Sequence, residues 1–271
     1  MRRKLIAANW KMYKTPEGAR EFAAAFLPLV KNVHHAEIVV CPPFVCLPAM
    51  VEALHGTRIG SGGQNMFWEN EGAYTGEISA GMLRAVGCSH VIIGHSERRQ
   101  YFGETDDTVN RKLRSALAAG LQPIVCVGEV LQEREAGLTE EVLARQCNIA
   151  FREISTLEAA PLVVAYEPVW AIGTGKTATP EMAADAHRVL RAEAAKAFGD
   201  QRAANLRILY GGSVKPENAK ALMSQREIDG ALVGGGSLDP KSFATIVAAG
   251  DFSQQKTPSE KDSILEVSEA I

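Results

Sequence analysis

The sequence predicts an α/β protein, a closed barrel of eight parallel strands surrounded by helices, on three observations. Eight short apolar runs recur along the chain, helical patterns separate them, and several of the helices begin with capping signals. At 271 residues with 46% hydrophobic content, the chain has the material to build such a barrel as one domain. The runs are Leu5 to Ala8, Ile38 to Cys41, Arg58 to Ser61, His90 to Ile93, Pro123 to Val127, Leu162 to Ala165, Leu206 to Tyr210 and Gly230 to Val233. Short runs of this kind suit strands covered on both faces.

Between the runs, Thr15-Pro16-Glu17 and Thr179-Pro180-Glu181 each combine a capping hydroxyl, a first-turn proline and an early carboxylate. Lys215-Pro216-Glu217 and Asp239-Pro240 repeat much of that signal. After the sixth run, Met182, Ala186, Val189 and Leu190 form one apolar helical face. No linker interrupts the array, so residues 1–251 are expected to be a single catalytic barrel whose last helix lies near Phe243 to Ala249. The remaining residues, 252–271, read as a polar C-terminal extension, with room for a short amphipathic helix around Ile264 to Val267. The extension is expected to be dispensable.

The net charge of -3, without long runs of like charge, leaves no electrostatic footprint for nucleic acid or an anionic membrane. The start, MRRKLIAANW, is basic but its apolar run is too short for a signal peptide, and no run approaches the about 20 residues that span a bilayer. A cytoplasmic protein is expected. Five cysteines, an odd number, argue against a disulfide framework. Cys41 and Cys126 fall in apolar runs as core thiols, and Cys41 and Cys46 stand too far from histidine to suggest a metal site.

In a barrel of this architecture, chemistry sits on the loops at the C-terminal ends of the strands. Those ends carry Asn9-Trp10-Lys11, Gly94-His95-Ser96-Glu97, Glu167, Gly211-Gly212-Ser213 and Gly234-Gly235-Gly236-Ser237. Glycine turns leave backbone N–H groups unobstructed, and with a helix N-terminus they bind a phosphate dianion without a cluster of Arg or Lys. A small phosphorylated substrate follows. Glu167 runs into Pro168, and the next residues hold Trp170 and Ile172 between that proline and a Gly-Thr-Gly turn, the pattern of a hinged flap over residues 168–177 that closes on substrate. Gly173 to Thr177 has the look of the end of a nucleotide-binding P-loop, but Trp170 stands where that motif needs its first glycine.

Longer motifs carry a family resemblance: NWKM at 9–12, QNMFWENEGAYTGEIS at 64–79, GHSERR at 94–99, AYEPVWAIGTGKT at 165–177, YGGSV at 210–214 and VGGGSL at 233–238. Over about residues 4–250 the chain resembles the triosephosphate isomerase family. The resemblance implies interconversion of dihydroxyacetone phosphate and glyceraldehyde 3-phosphate, without a cofactor. It implies that Glu167 is the base and His95 the electrophile, that Asn9 and Lys11 contact substrate, and that Gly173, Ser213, Gly234 and Gly235 hold the phosphate. It also implies a homodimer through the loop Gln64 to Ser79, with Thr75 reaching toward the neighbour's Asn9 and Lys11. That loop is long and carries Phe67, Trp68 and Tyr74, which suits an interface. The chain departs from the family pattern at Ala8 and Gly236, where the family often has Gly and Ala.

Such an isomerisation needs a base for a carbon-bound proton, stabilisation of an enediolate, and a donor that serves two oxygens. The expected short helix Ser96 to Tyr101 points its N-terminus at His95, which disfavours imidazolium. The flap is expected to keep water from the enediolate, which can otherwise expel its phosphate. An aldolase would use Lys11 as a Schiff base, yet no second cation stands beside it in sequence to depress its pKa. A non-catalytic phosphate scaffold would leave Glu167 without a use.

Overall fold

The computed structural model describes residues 2–172 and 177–252, and in it eight strands close into a barrel in sequence order. They are β1 Lys4–Asn9, β2 Ala36–Cys41, β3 Gly60–Gly63, β4 His90–Ile93, β5 Gln122–Val127, β6 Val163–Tyr166, β7 Arg207–Tyr210 and β8 Gly230–Val233. Neighbours pair in parallel, and β1 meets β8 to close the ring. The surrounding helices are α1 Pro16–Val30, α2 Leu47–Leu54, α3 Ala80–Val86, α4 Ser96–Tyr101, α5 Asp106–Ala118, α6 Leu131–Glu135, α7 Thr139–Ala150, α8 Pro180–Phe198, α9 Asp200–Asn205, α10 Pro216–Met223 and α11 Pro240–Ala248. No described helix is long and apolar enough to cross a membrane.

Strand alternation builds two cores. On β1, Leu5 and Ala7 point inward to Val39, Ile92, Ile124, Val163 and Leu209 inside the barrel, while Ile6 and Ala8 point outward to the helices. The outer layer is tied by a row of rings, Trp10, Phe22, Phe26 and Phe243, with centroids 4.8, 5.2 and 5.1 Å apart in that order. This row packs α1 and α11 below the exit of β1. Helix starts follow the sequence signals: the hydroxyls of Thr15 and Thr179 accept from Gly18 and Met182 N–H, and the Asp239 carboxylate accepts from Ser242 N–H.

The third strand differs from the expected Arg58 to Ser61. It begins two residues later, over Gly-Ser-Gly-Gly, because the barrel is tight there rather than greasy. A Cβ at Gly62 would lie 2.9 Å from Cys41 Sγ, and one at Gly63 would lie 2.8 Å from a Leu83 methyl. The two family departures are settled locally. Ala8 is fully buried in regular pairing with Val40 and Val233, and at Gly236 a methyl would come within 2.8 Å of Val214 O.

Phe252, expected to open the extension, packs on the core, with Lys4 Nζ 5.6 Å from its ring centre. The possible helix at Ile264 to Val267 lies outside the described residues.

Candidate active site

Glu167 directly follows β6, donates its N–H to Val127 O at 2.8 Å, and is 2% exposed. Two glycines grip it. A Cβ at Gly128 would sit 1.8 Å from the backbone Glu167 O, and one at Gly211 would sit 2.9 Å from Glu167 Cγ, so a side chain at the first would displace the Glu167 backbone and one at the second its carboxylate arm. Oε2 accepts the Ser96 N–H at 2.9 Å. Oε1 lies 3.0 Å from His95 Nε2 but off the line a hydrogen bond needs, and it is buried without an aligned partner. Burial pushes the Glu167 pKa up, but His95 and the Ser96 N–H outweigh it, holding the carboxyl below the usual carboxylate range. The Ser96 N–H favours the carboxylate whatever the state of the ring, whereas the lowering by His95 is greatest when the ring carries charge.

His95 follows β4 through Gly94, whose φ of 74° suits glycine. The Gly94 peptide is clamped from both sides: its N–H donates to Glu104 Oε1 at 2.9 Å, and its carbonyl accepts from Arg99 Nε at 2.8 Å. His95 caps α4, with Nδ1 accepting the Glu97 N–H at 3.2 Å, which leaves the neutral ring its proton on Nε2. The sequence accounts for the helix N-terminus but not for the carboxylate 3.0 Å away. Burial lowers the His95 pKa, yet Glu167 outweighs it, so the direction is upward while the two groups face each other.

Asn9 ends β1, and its Oδ1 accepts the Lys11 N–H at 3.0 Å. Lys11 takes the left-handed backbone conformation, φ 53°, and sets its ammonium 2.7 Å from Glu97 Oε1. Opposite, the turns after β7 and β8 present backbone donors. Among the described residues, the N–H groups of Ser213, Gly234 and Gly235 donate to no protein acceptor, whereas the Gly211 N–H is taken by Tyr166 O at 2.7 Å. These groups converge on a cavity of about 310 Å³ lined by Asn9, Lys11, His95, Glu167, Ile172, Ser213, Lys215, Gly234 and Gly235 among others. Of the expected site residues, Gly173 lies outside the described residues.

Several contributors had no assigned role in sequence. Glu97 bonds Lys11, Ser96 holds Glu167, Gln64 donates to Lys11 O, and Lys215 adds a second cation to the rim. Glu129, fully buried, accepts from Tyr166 OH at 3.0 Å and from Trp170 Nε1 at 2.9 Å, so it anchors the start of the flap. Its place two residues beyond β5, GE at 128–129, was the available signal, since a carboxylate at a strand exit is on the functional rim.

The family model described as Triosephosphate isomerase matches residues 4–250. The chain is 59% identical over 218 residues to the triosephosphate isomerase of Solibacter usitatus (strain Ellin6076), covering 80% of this chain and 88% of that one. It is 58% identical over 218 residues to that of Moorella thermoacetica, with 80% and 87% covered. For Caldanaerobacter subterraneus subsp. tengcongensis the identity is 53% over 218 residues, with 80% and 88% covered.

Proposed function

The chain belongs to the triosephosphate isomerase family and interconverts dihydroxyacetone phosphate and D-glyceraldehyde 3-phosphate, and we propose that Glu167 moves the proton between the two carbons. The observation that carries this assignment is the buried Glu167 Oε1, without an aligned hydrogen bond and facing the cavity beside His95 Nε2. With the substrate phosphate on the N–H groups of Ser213, Gly234 and Gly235, the chain's two reacting carbons fall toward Glu167 and its oxygens toward His95 and Lys11. Glu167 takes a proton from one carbon as the carbonyl oxygen gains charge. His95 Nε2–H and the Lys11 ammonium stabilise that oxygen, protons exchange between the two oxygens, and Glu167 returns its proton to the neighbouring carbon. Carboxylate base and imidazole electrophile are the roles established for triosephosphate isomerases in general. Gly173 completes the phosphate contacts in this scheme, and no cofactor takes part.

The working unit is a homodimer joined through the loop Gln64 to Ser79. Support comes from where apolar side chains are left in solvent. Met12 (94% exposed), Val45 (70%), Tyr101 (67%) and Phe102 (66%), with Tyr13, Tyr74, Met82 and Val86, all follow the first four strands. After the last four strands the described exposed large apolar residues are Val130, Leu138 and Leu157. Within the loop, Phe67 packs at a tilt against Trp68 and Tyr74, with ring centroids 4.0 and 4.6 Å away. The five cysteines are free and buried, which suits the reducing cytoplasm. Coupled assay of purified protein on each triose phosphate tests the activity, and sedimentation should give about twice 29.1 kDa. A fully active species at the monomer mass would overturn the dimer.

A further inference from the structure

Helix α7 buries Val142, Leu143, Cys147 and Ala150, and one polar side chain, Gln146, is buried among them at 6% exposure. A buried amide needs partners at both ends, and Gln146 finds both on one residue. Its Oε1 accepts the Gly128 N–H at 2.8 Å, and its Nε2 donates to Gly128 O at 3.2 Å. This is the pairing that a neighbouring strand would give, supplied by a side chain just past the end of β5. The residues on either side of Gly128 turn to the other segment: Val127 O accepts the Glu167 N–H at 2.8 Å, and Glu129 O accepts the Val169 N–H at 3.1 Å. Residues 127–129 are thus laced to 167–169 by their outer members and to α7 by the glycine between them. The layers leave no slack, since a Cβ at Gly128 would lie 1.8 Å from Glu167 O and 2.6 Å from Glu167 C. Gln146 itself does not line the cavity.

We infer that Gln146 is a positioning residue for proton transfer: its amide fixes Gly128, and Gly128 fixes the backbone from which the Glu167 carboxylate reaches the cavity. This inference rests on Glu167 being the base. Without the amide, both polar groups of Gly128 must find other partners, and a glycine is free to turn toward them. The Glu167 backbone touches Gly128 and moves with it, carrying the carboxylate arm. The phosphate N–H groups of Ser213, Gly234 and Gly235 follow β7 and β8 and bond neither residue, so substrate binding is spared.

The test is a double-mutant cycle on the full chain, with Gln146→Met, Glu167→Asp and the double variant assayed for kcat and KM below their melting points. Misplacement of a reacting group by about 1 Å costs up to ~10²-fold, so Gln146→Met is expected to lower kcat at least about fivefold while KM changes less than about threefold. In the Glu167→Asp background, where the arm is already one methylene short, the same change should cost less than about twofold. Asn110→Leu is the structural control: buried Asn110 donates to Ala150 O and Arg152 O at the end of the same helix, so its loss should lower the melting point and leave kcat unchanged. Equal fold-losses from Gln146→Met in both backgrounds, the outcome if it acts only through Glu129 and the flap or through general stability, would overturn the inference. So would a kcat loss below fivefold, or an equal kcat loss in Asn110→Leu. Gln146→Glu, which keeps the size and the acceptor and removes the donor to Gly128 O, replaces Gln146→Met in the cycle should that variant not fold. A fully active Glu167→Asp protein would instead refute the role of Glu167 itself.

Discussion

Replacing Gly211 with alanine isolates the placement of Glu167 from its chemistry. The backbone of Gly211 lies outside the left-handed region, so alanine can adopt it, but its Cβ would stand 2.9 Å from Glu167 Cγ and 3.2 Å from Tyr166 O. Carbon atoms in ordinary contact sit about 3.5–4.0 Å apart, so the carboxylate arm must retreat by roughly 0.6–1 Å. A shift of that size at a reacting group costs up to ~10²-fold, and we expect kcat to fall about 10- to 100-fold, or about 1.4–2.7 kcal/mol in the barrier. The Gly211 N–H already serves Tyr166 O rather than a ligand, so KM should change little. Crowding costs about 1–3 kcal/mol and the stiffer unfolded chain recovers ~0.4–1, leaving a folded protein with a melting point lower by a few degrees. Gly18→Ala in α1, where the nearest atom is 3.6 Å from the new methyl, is the control and should leave kcat unchanged. The measurement is steady-state kinetics with thermal melting on both variants. A Gly211→Ala protein with kcat within twofold of wild type would refute the view that two glycines fix the base.

Two further outcomes follow from the far end of the barrel. His90, 3.3 Å away, and the Arg207 guanidinium at 2.6 Å hold the Glu37 carboxyl at about 2 against its burial. Its folded pKa is depressed, so its stabilisation is complete above the unfolded value near 4.5 and is lost as pH falls toward 2. Roughly 2 kcal/mol should go between about pH 5 and pH 3, and Glu37→Gln should remove that slope; equal losses in urea unfolding of both proteins at fixed concentration would contradict it. For the C-terminus, a chain ending at Phe252 should match the full chain in activity and melting. One ending at Asp251 should keep its activity but lose on the order of 1 kcal/mol, since Phe252 packs on the core under Lys4, and identical calorimetric melting of the two would refute that contribution.

The barrel and its rim were legible in sequence where side chains alternate or cap. Leu5 to Ala8 and His90 to Ile93 declare strands by their own composition, and Thr15, Thr179 and Asp239 declare helix starts by chemistry that acts within three residues. β3 was misplaced by two residues because Gly60 to Gly63 carry almost no side chains to pattern, and closeness to Cys41 and Leu83 is what selects them. Contacts between distant segments were not legible. Gln64 meets Lys11, Glu97 meets Lys11, Glu129 meets Trp170 and Ser96 meets Glu167 only after the strands have closed. The same limit applies to His95, whose nearby helix is visible in sequence while the carboxylate that raises its pKa comes from a strand 71 residues on by the Ser96 to Glu167 spacing.

The account stands most directly on Glu167 as the base that moves the proton. Glu167→Gln keeps the size of the side chain and an acceptor for the Ser96 N–H while removing the charge that takes a proton from carbon. Turnover measured in both directions on the two triose phosphates should fall by at least ~10²-fold, with melting and sedimentation confirming an intact fold and assembly. A folded Glu167→Gln protein that turns over at close to the wild-type rate would contradict it.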